Sequence, residues 1–368
     1  MVMVQRLTAL AAIVAAMLLL TACERKITRV EVTEGPQTCF SCHSDQNTFL
    51  VAAQQQWEHS RHASGTTLNE NDGTCKDCHT SEGFVARVTG TMLPNEVENP
   101  TTIHCFTCHA PHTDGDFRLR WTAMTTLQDG TTWDLEAGNT CAACHQSRRN
   151  VNTYIVAKPG RTSVNNRFGP HHGPQGDMLI GTNGYEFVGY VYEETNHRAI
   201  EDGCIVCHKN TTSNNVVGGH AFNMRWDTGT EEIRNTAACS QTPASGACHA
   251  VVDDFNEIKI GNTSLQDSVV ARTDSLKAIL VAANLVDATT GLPKTVSLGA
   301  DSAGAVYNYV MVMEDRSKGV HNPKYVLGLL NSSIMYMSGS LPQPGPSPAP
   351  RLTPRAAHLA MAEAKPRR

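Results

Sequence analysis

Aromatic side chains are scarce in this chain: Phe, Tyr and Trp make up 6% of 368 residues, against 28 glycines and 17 prolines. That is thin material for a core built from side chains alone, and it implies that something else fills part of the interior. Excess basic charge is missing too. Thirty Lys and Arg stand against 35 Asp and Glu, a net charge of −5, which excludes the broad basic surface that nucleic acid requires. Also lacking at the N-terminus is a run long enough to span a bilayer. The apolar stretch from Leu7 to Leu20 has fourteen residues, where a spanning helix needs ~20.

That short stretch, preceded by Arg6 and followed by small residues, reads as an export signal over 1–22. Leu20-Thr21-Ala22-Cys23 resembles a bacterial lipobox, with Cys23 the lipidated mature N-terminus. The alternatives are an ordinary secretory signal or an uncleaved anchor. The expected location is outside the cytoplasm, periplasm-facing or outer-surface. Glu24 stands where inner-membrane retention commonly uses aspartate, so the outer membrane is favoured.

What the chain has in quantity is cysteine and histidine, 13 and 16 respectively. An exported protein with so many cysteines could be a disulfide framework, but their placement argues otherwise. CFSCH (Cys39, Cys42, His43), CKDCH (Cys75, Cys78, His79), CFTCH (Cys105, Cys108, His109), CAACH (Cys141, Cys144, His145) and CIVCH (Cys204, Cys207, His208) repeat C-x-x-C-H five times. Two thiols at this spacing add to the two vinyl groups of one haem, and the next histidine is delivered beneath the iron. Zinc needs four ligands per site, more than each cluster offers. A thioredoxin-like pair needs no repeats. Covalent haem c is the reading.

Residues 239–249, CSQTPASGACH, pose a separate question. Cys239, Cys248 and His249 form a stretched version of the motif, with Ser245 where the first cysteine would normally stand. Cys239 can reach its vinyl through a longer loop, turned by Pro243 and Gly246. Cys248 alone can hold the haem, or the two cysteines can form a disulfide beside an incidental histidine.

A low-spin electron-transfer haem takes a second axial ligand, and ten histidines remain after the six motif positions. The candidates are His62, His112, one of the adjacent His171 and His172 (taken as His172), His197, His220 and His321. Six candidates for six haems favours a sixth haem at Cys239/Cys248/His249. His59 is three residues from His62, so either can serve from one helix face. His104 is a spare, Met224 an alternative to His220, and His358 belongs to the tail.

With these motifs the chain resembles the bacterial multihaem cytochromes c. CFSCH…WEHSRHASG…CKDCH, over 39–79, is similar to the opening domain of the tetrahaem cytochrome partnered with hydroxylamine oxidoreductase. CFTCHAPH, GGHAFNM and KGVHNPKY resemble the wider group that includes pentahaem nitrite reductase. The likeness runs from Cys39 to Ser333 and is strongest in the haem motifs. It implies a mainly α fold with much irregular loop and little β, organised around stacked and perpendicular haem pairs. One departure matters. Nitrite reductases use C-x-x-C-K to leave one haem face open, and all six sites here end in histidine.

The expected organisation is a tether over 23–38, a multihaem domain over 39–338 and a proline-rich basic tail over 339–368. Within the domain the haem motifs occupy 39–250 and a helical cap 251–338. First cysteines recur at 36, 30, 36, 63 and 35 residues. The motif cysteines are expected on short helices. GYEFVGYVYEE (184–194) alternates like a strand or hairpin, and three apolar periodic stretches, 264–286, 302–317 and 322–337, read as helices with His321 at a break. At roughly 58 residues per haem after the signal, the porphyrins themselves should supply much of the interior.

The functional expectation is an anchored carrier of single electrons along six bis-histidine haems. It would work between a quinol-linked donor and a cytochrome, terminal reductase or extracellular acceptor. The alternative is a reductase of nitrite, hydroxylamine or a sulfur oxyanion with one open haem. A third reading is a structural or filament-forming subunit.

Overall fold

Among the described residues up to 240 the helices are short, eleven residues at most, with turns and loops between them. The computed structural model describes residues 47–65, 67–158, 160–240, 249 and 252–340. The chain divides after Asn47, and the architecture below is that of the second unit. Cys23, Cys39, Cys42, His43, Cys248 and His358 lie outside the described residues, as do the signal, the tether and nearly all of the tail.

The helices in chain order are α1 (Thr48–Glu58), α2 (Lys76–His79), α3 (Ser81–Thr89), α4 (Cys105–Cys108), α5 (Pro111–Asp114), α6 (Asn139–Ala142), α7 (Gln175–Ile180), α8 (Cys204–His208) and α9 (Ala237–Ser240). Three long ones follow: α10 (Leu265–Ala282), α11 (Ala300–Asp315) and α12 (Pro323–Met337). The fold is mainly helix and loop. Its β structure consists of two-stranded antiparallel pairs. One of them, Thr162–Val164 against Val296–Leu298 with Ser163 opposite Ser297, ties the middle of the chain to the long helices.

Local chemistry explains the helix ends. Thr80 Oγ1 accepts from Gly83 N at 3.0 Å to start α3, and Ser264 Oγ accepts from Asp267 N at 3.3 Å to start α10. Asn322 caps α12 through Tyr325 N at 3.1 Å, and Pro323 takes the first turn, where its missing N–H costs nothing.

The expected helices at 264–286, 302–317 and 322–337 are present as α10, α11 and α12. They bury Leu276 and Leu280, Val306 and Met311, and Val326 and Leu329 against one another. The segment from Val151 to Tyr192 packs on the same cluster through Ile155, Phe168 and Met178. This is a substantial side-chain core, and it is confined to this part of the chain. From Thr48 to Cys144 the fully buried apolar residues are few, chiefly Phe84, Leu127, Trp133 and Leu135.

GYEFVGYVYEE forms no strand. Its aromatics turn inward without a partner strand, and side chains satisfy the backbone instead. Asn308 Oδ1 accepts from Tyr185 N at 2.8 Å, and Tyr192 Oη accepts from Phe187 N at 2.8 Å. Gly304 of α11 permits this approach, since a Cβ there would fall 2.2 Å from the Tyr185 ring. The alternation therefore reports packing onto helices.

Candidate metal centres

Each of the four described C-x-x-C-H motifs folds as a single tight turn. His79 N donates to Cys75 O at 3.1 Å, His109 N to Cys105 O at 2.9 Å and His145 N to Cys141 O at 2.8 Å. Cys204 to His208 form one turn of helix on their own. Two thiols three residues apart then share a face, and the histidine follows one position later. The stretched sequence closes in the same way: His249 N donates to Cys239 O at 3.2 Å. Cys239, on α9, therefore stands to His249 as the first cysteine stands to its histidine in the regular motifs.

Five pairs of imidazoles face each other at nearly one separation. Ring centres lie 6.2 Å apart for His79 and His171, 6.4 Å for His109 and His220, and 6.1 Å for His145 and His62. They lie 6.2 Å apart for His208 and His321, and 6.0 Å for His249 and His197. Every pair joins one motif histidine to one from elsewhere in the chain. The ring planes are inclined by 43° to 77°, so the rings are not stacked. A metal in line between two imidazoles, with bonds of about 2 Å, would separate their centres by about 6 Å.

The ring nitrogens are oriented for ligation. His109 Nδ1 lies 3.1 Å from Arg118 O, His197 Nδ1 2.7 Å from Val320 O and His208 Nδ1 2.8 Å from Phe222 O. A carbonyl only accepts, so in each ring Nδ1 carries the proton and Nε2 keeps its lone pair. At His220 the same conclusion comes from the other side, because the Lys209 ammonium donates to Nε2 at 3.4 Å. His145 Nδ1 lies 3.2 Å from Gln175 Oε1, and His79 Nδ1 lies 2.7 Å from Thr67 Oγ1.

Electrostatics agree. Burial, with the charge of His145, holds His62 down at about 4. Burial, with His321 next, holds His208 at about 4, and burial with Lys209 does the same for His220. His79, His145 and His197 are lowered, mainly by burial. Neutral imidazoles are what a metal binds. His321 departs from this pattern: burial pushes it down, but the charge and hydrogen bond of Asp315 outweigh that and raise it.

The donor set fits haem c. Each pair brings two nitrogens, and among the described residues no group of three or more His, Cys, Asp or Glu is placed to hold a metal ion. Tetrahedral zinc would need four donors. Two opposed imidazoles suit a metal whose remaining positions a macrocycle fills, and the adjacent thiols are the groups that bond such a macrocycle.

Two ambiguous pairs of histidines are separated by the fold. His171, not His172, faces His79. The backbone at His171 is left-handed, at φ 84, and His172 turns away so that its Nδ1 lies 3.0 Å from Glu314 Oε1. His62 rather than His59 faces a motif histidine. His59 Nδ1 is bound to Gln55 O at 2.8 Å, and its ring meets Trp226 edge-on. His104 caps α4, accepting from Phe106 N at 3.2 Å. The ring of His112 lies 5.6 Å from that of Phe106. Met224 Sδ accepts from Asn235 Nδ2 at 4.0 Å, and His220 stands opposite His109. Sequence reasoning did not single out Asp315 or the carbonyls behind the rings. Acidic Glu314-Asp315 shortly before His321 was the available signal.

The motifs meet in an order different from the chain's. Cys78 Sγ lies 4.0 Å from Ala143 O, and Cys144 Sγ lies 3.9 Å from Asp77 O, so the second and fourth motifs lie back to back. The thiols of Cys78 and Cys144, and those of Cys141 and Cys204, influence each other's ionisation. Cys108 is pushed up to about 11 by burial and then by Cys141. The fourth motif thus adjoins the second, third and fifth. Leu135, Trp133 and Ala142 form a small apolar cluster there, with Cys204 packed on it.

The sequence matches no family profile and no curated protein. Two solved structures are similar. The outer cell wall cytochrome OcwA gives a TM-score of 0.48 at 18% identity, with 77% of this chain and 49% of that one covered. The undecahaem cytochrome from the S-layer of Carboxydothermus ferrireducens gives 0.43 at 17%, with 78% and 41% covered. The chain spans less than half the length of either.

Proposed function

We propose that this chain is a multihaem cytochrome c that carries single electrons in the cell envelope. The observation behind the reading is the set of five motif-to-distal histidine pairs at 6.0 to 6.4 Å. Haem c, when attached, supplies reversible one-electron chemistry at iron. The chain's residues do the rest. Cys75 and Cys78, Cys105 and Cys108, Cys141 and Cys144, and Cys204 and Cys207 provide the covalent links, and Cys239 with Cys248 provides the stretched one. The motif histidines would hold the iron together with His171, His220, His62, His321 and His197, and two imidazoles per iron would suit electron exchange and disfavour substrate binding.

The sixth site would use Cys39, Cys42 and His43. Lipidation at Cys23 would tether the unit to the membrane. No helix among the described residues is long and apolar enough to cross one. A quinol-linked donor and a second cytochrome or terminal reductase are the proposed partners.

The test is an intact mass of the mature protein together with a carbon monoxide difference spectrum. Six haem increments plus lipid and negligible carbon monoxide binding are expected. Stoichiometric binding at one haem would replace the carrier with a reductase, and a haem-free chain would remove both. A finer check separates the adjacent histidines. His171→Ala should create one carbon monoxide-binding haem, whereas His172→Ala should create none.

A further inference from the structure

The paired histidines share one spacing but differ in what stands behind them. His109, His197 and His208 rest on neutral carbonyls, His145 on an amide and His79 on a hydroxyl. His321 rests on a carboxylate, with Asp315 Oδ1 2.6 Å from its Nδ1. Asp315 is 2% exposed. Its other oxygen accepts from the Ser317 amide at 3.4 Å and from the Ser317 hydroxyl. His208, His197 and His145 are further titratable groups near this pair.

The loop between α11 and α12 is built to hold that contact. Arg316 turns left-handed at φ 61, ending α11 one residue after Asp315. Gly319, at φ 91, lies where a Cβ would come within 2.7 Å of Val269 Cγ2. His321 N then donates to Ser317 Oγ at 3.3 Å, which fixes the histidine above the carboxylate.

From this geometry we infer that Asp315 is a positioning residue that makes the His208/His321 site the most strongly reducing of the five described pairs. The inference rests on the haem reading above. The carboxylate draws the Nδ1 proton toward itself, so Nε2 becomes a stronger donor and favours ferric over ferrous iron. A buried negative charge near the metal acts in the same direction, because the surroundings screen it weakly. Reduction there adds one electron to iron and breaks no bond, and the shared proton stays between His321 and Asp315. The site adjoins the fourth motif through Cys204 and the His249/His197 pair through His197. A low potential therefore places an uphill step between those two.

The experiment is a potentiometric titration of the full haem-loaded protein, wild type against Asp315→Asn, followed optically and by electron paramagnetic resonance. Asn keeps the volume and one oxygen acceptor but removes the charge. The lowest transition should shift upward about tenfold in its reduction equilibrium, about 59 mV for one electron, with the others unmoved. Ser317→Ala removes a donor to Asp315 and should shift the same transition downward. In wild type poised so that only the lowest haem is ferric, the signal should show the g-anisotropy of an imidazolate-like ligand. Unmoved transitions in Asp315→Asn, or a shift in some other transition, would overturn the inference. If that variant fails to load haem, an ordinary imidazole signal at the lowest wild-type haem overturns it as well. A wild type without bis-histidine spectra would instead sink the haem reading itself, and is recognised before any substitution is made.

Discussion

Replacing both Cys239 and Cys248 with serine is expected to reduce the mature protein from six haem increments to five. The Soret absorbance should fall by about one-sixth, since each haem contributes a comparable share. Three observations lead to this result. The His249 amide closes onto the Cys239 carbonyl at 3.2 Å, as the motif histidines close onto their first cysteines. Cys239 lies on a helical turn, α9, as Cys105, Cys141 and Cys204 do on theirs. The His249 ring faces His197 at the spacing of the four regular sites. Cys239 and His249 thus keep the relation of a regular motif's ends, although six extra residues separate the two cysteines in sequence. A disulfide between the two cysteines predicts another outcome: the double variant would keep its haem count and lose only stability. Mass spectrometry of the intact protein separates the two.

The second large effect concerns the chain made without haem attachment. Amide exchange should lose its protection across residues 67–145 while α10, α11 and α12 keep theirs. Ordering backbone costs about 1–2 kcal/mol per residue. Between Thr48 and Cys144 few large side chains are buried to offset that cost, so porphyrin contacts must. The three long helices bury Leu276, Leu280, Tyr307, Met311, Val326 and Leu329 against each other and against residues 151–192. Their packing needs no cofactor. Losing a typical ~5 kcal/mol of protection corresponds to nearly four powers of ten in exchange rate for the first region. Uniform protection along the haem-free chain, or none in the helices, would refute this division.

The histidine pairs also show what could be read without coordinates. His79, His109, His145 and His208 were legible because covalent spacing fixes them: two thiols and the next residue occupy one helical turn whatever surrounds it. The three long helices were legible from their apolar period and from Asn322-Pro323 at a start. The aromatic stretch 184–194 was misread because alternation records only inward and outward faces. Tyr185 and Phe187 point inward onto α11 and α12 and not across a sheet.

By itself, then, the sequence determined the near side of each proposed haem site, since attachment chemistry acts over four or five consecutive residues. Only the tertiary structure decided the far side. It chose His171 over His172 by a left-handed backbone and His62 over His59 by a turn after α1. It also set the fourth motif against the second and fifth, and put Asp315 behind His321. A distal ligand is brought in by closing a loop of tens of residues, for which many histidines compete. Packing, not spacing, settles which one arrives.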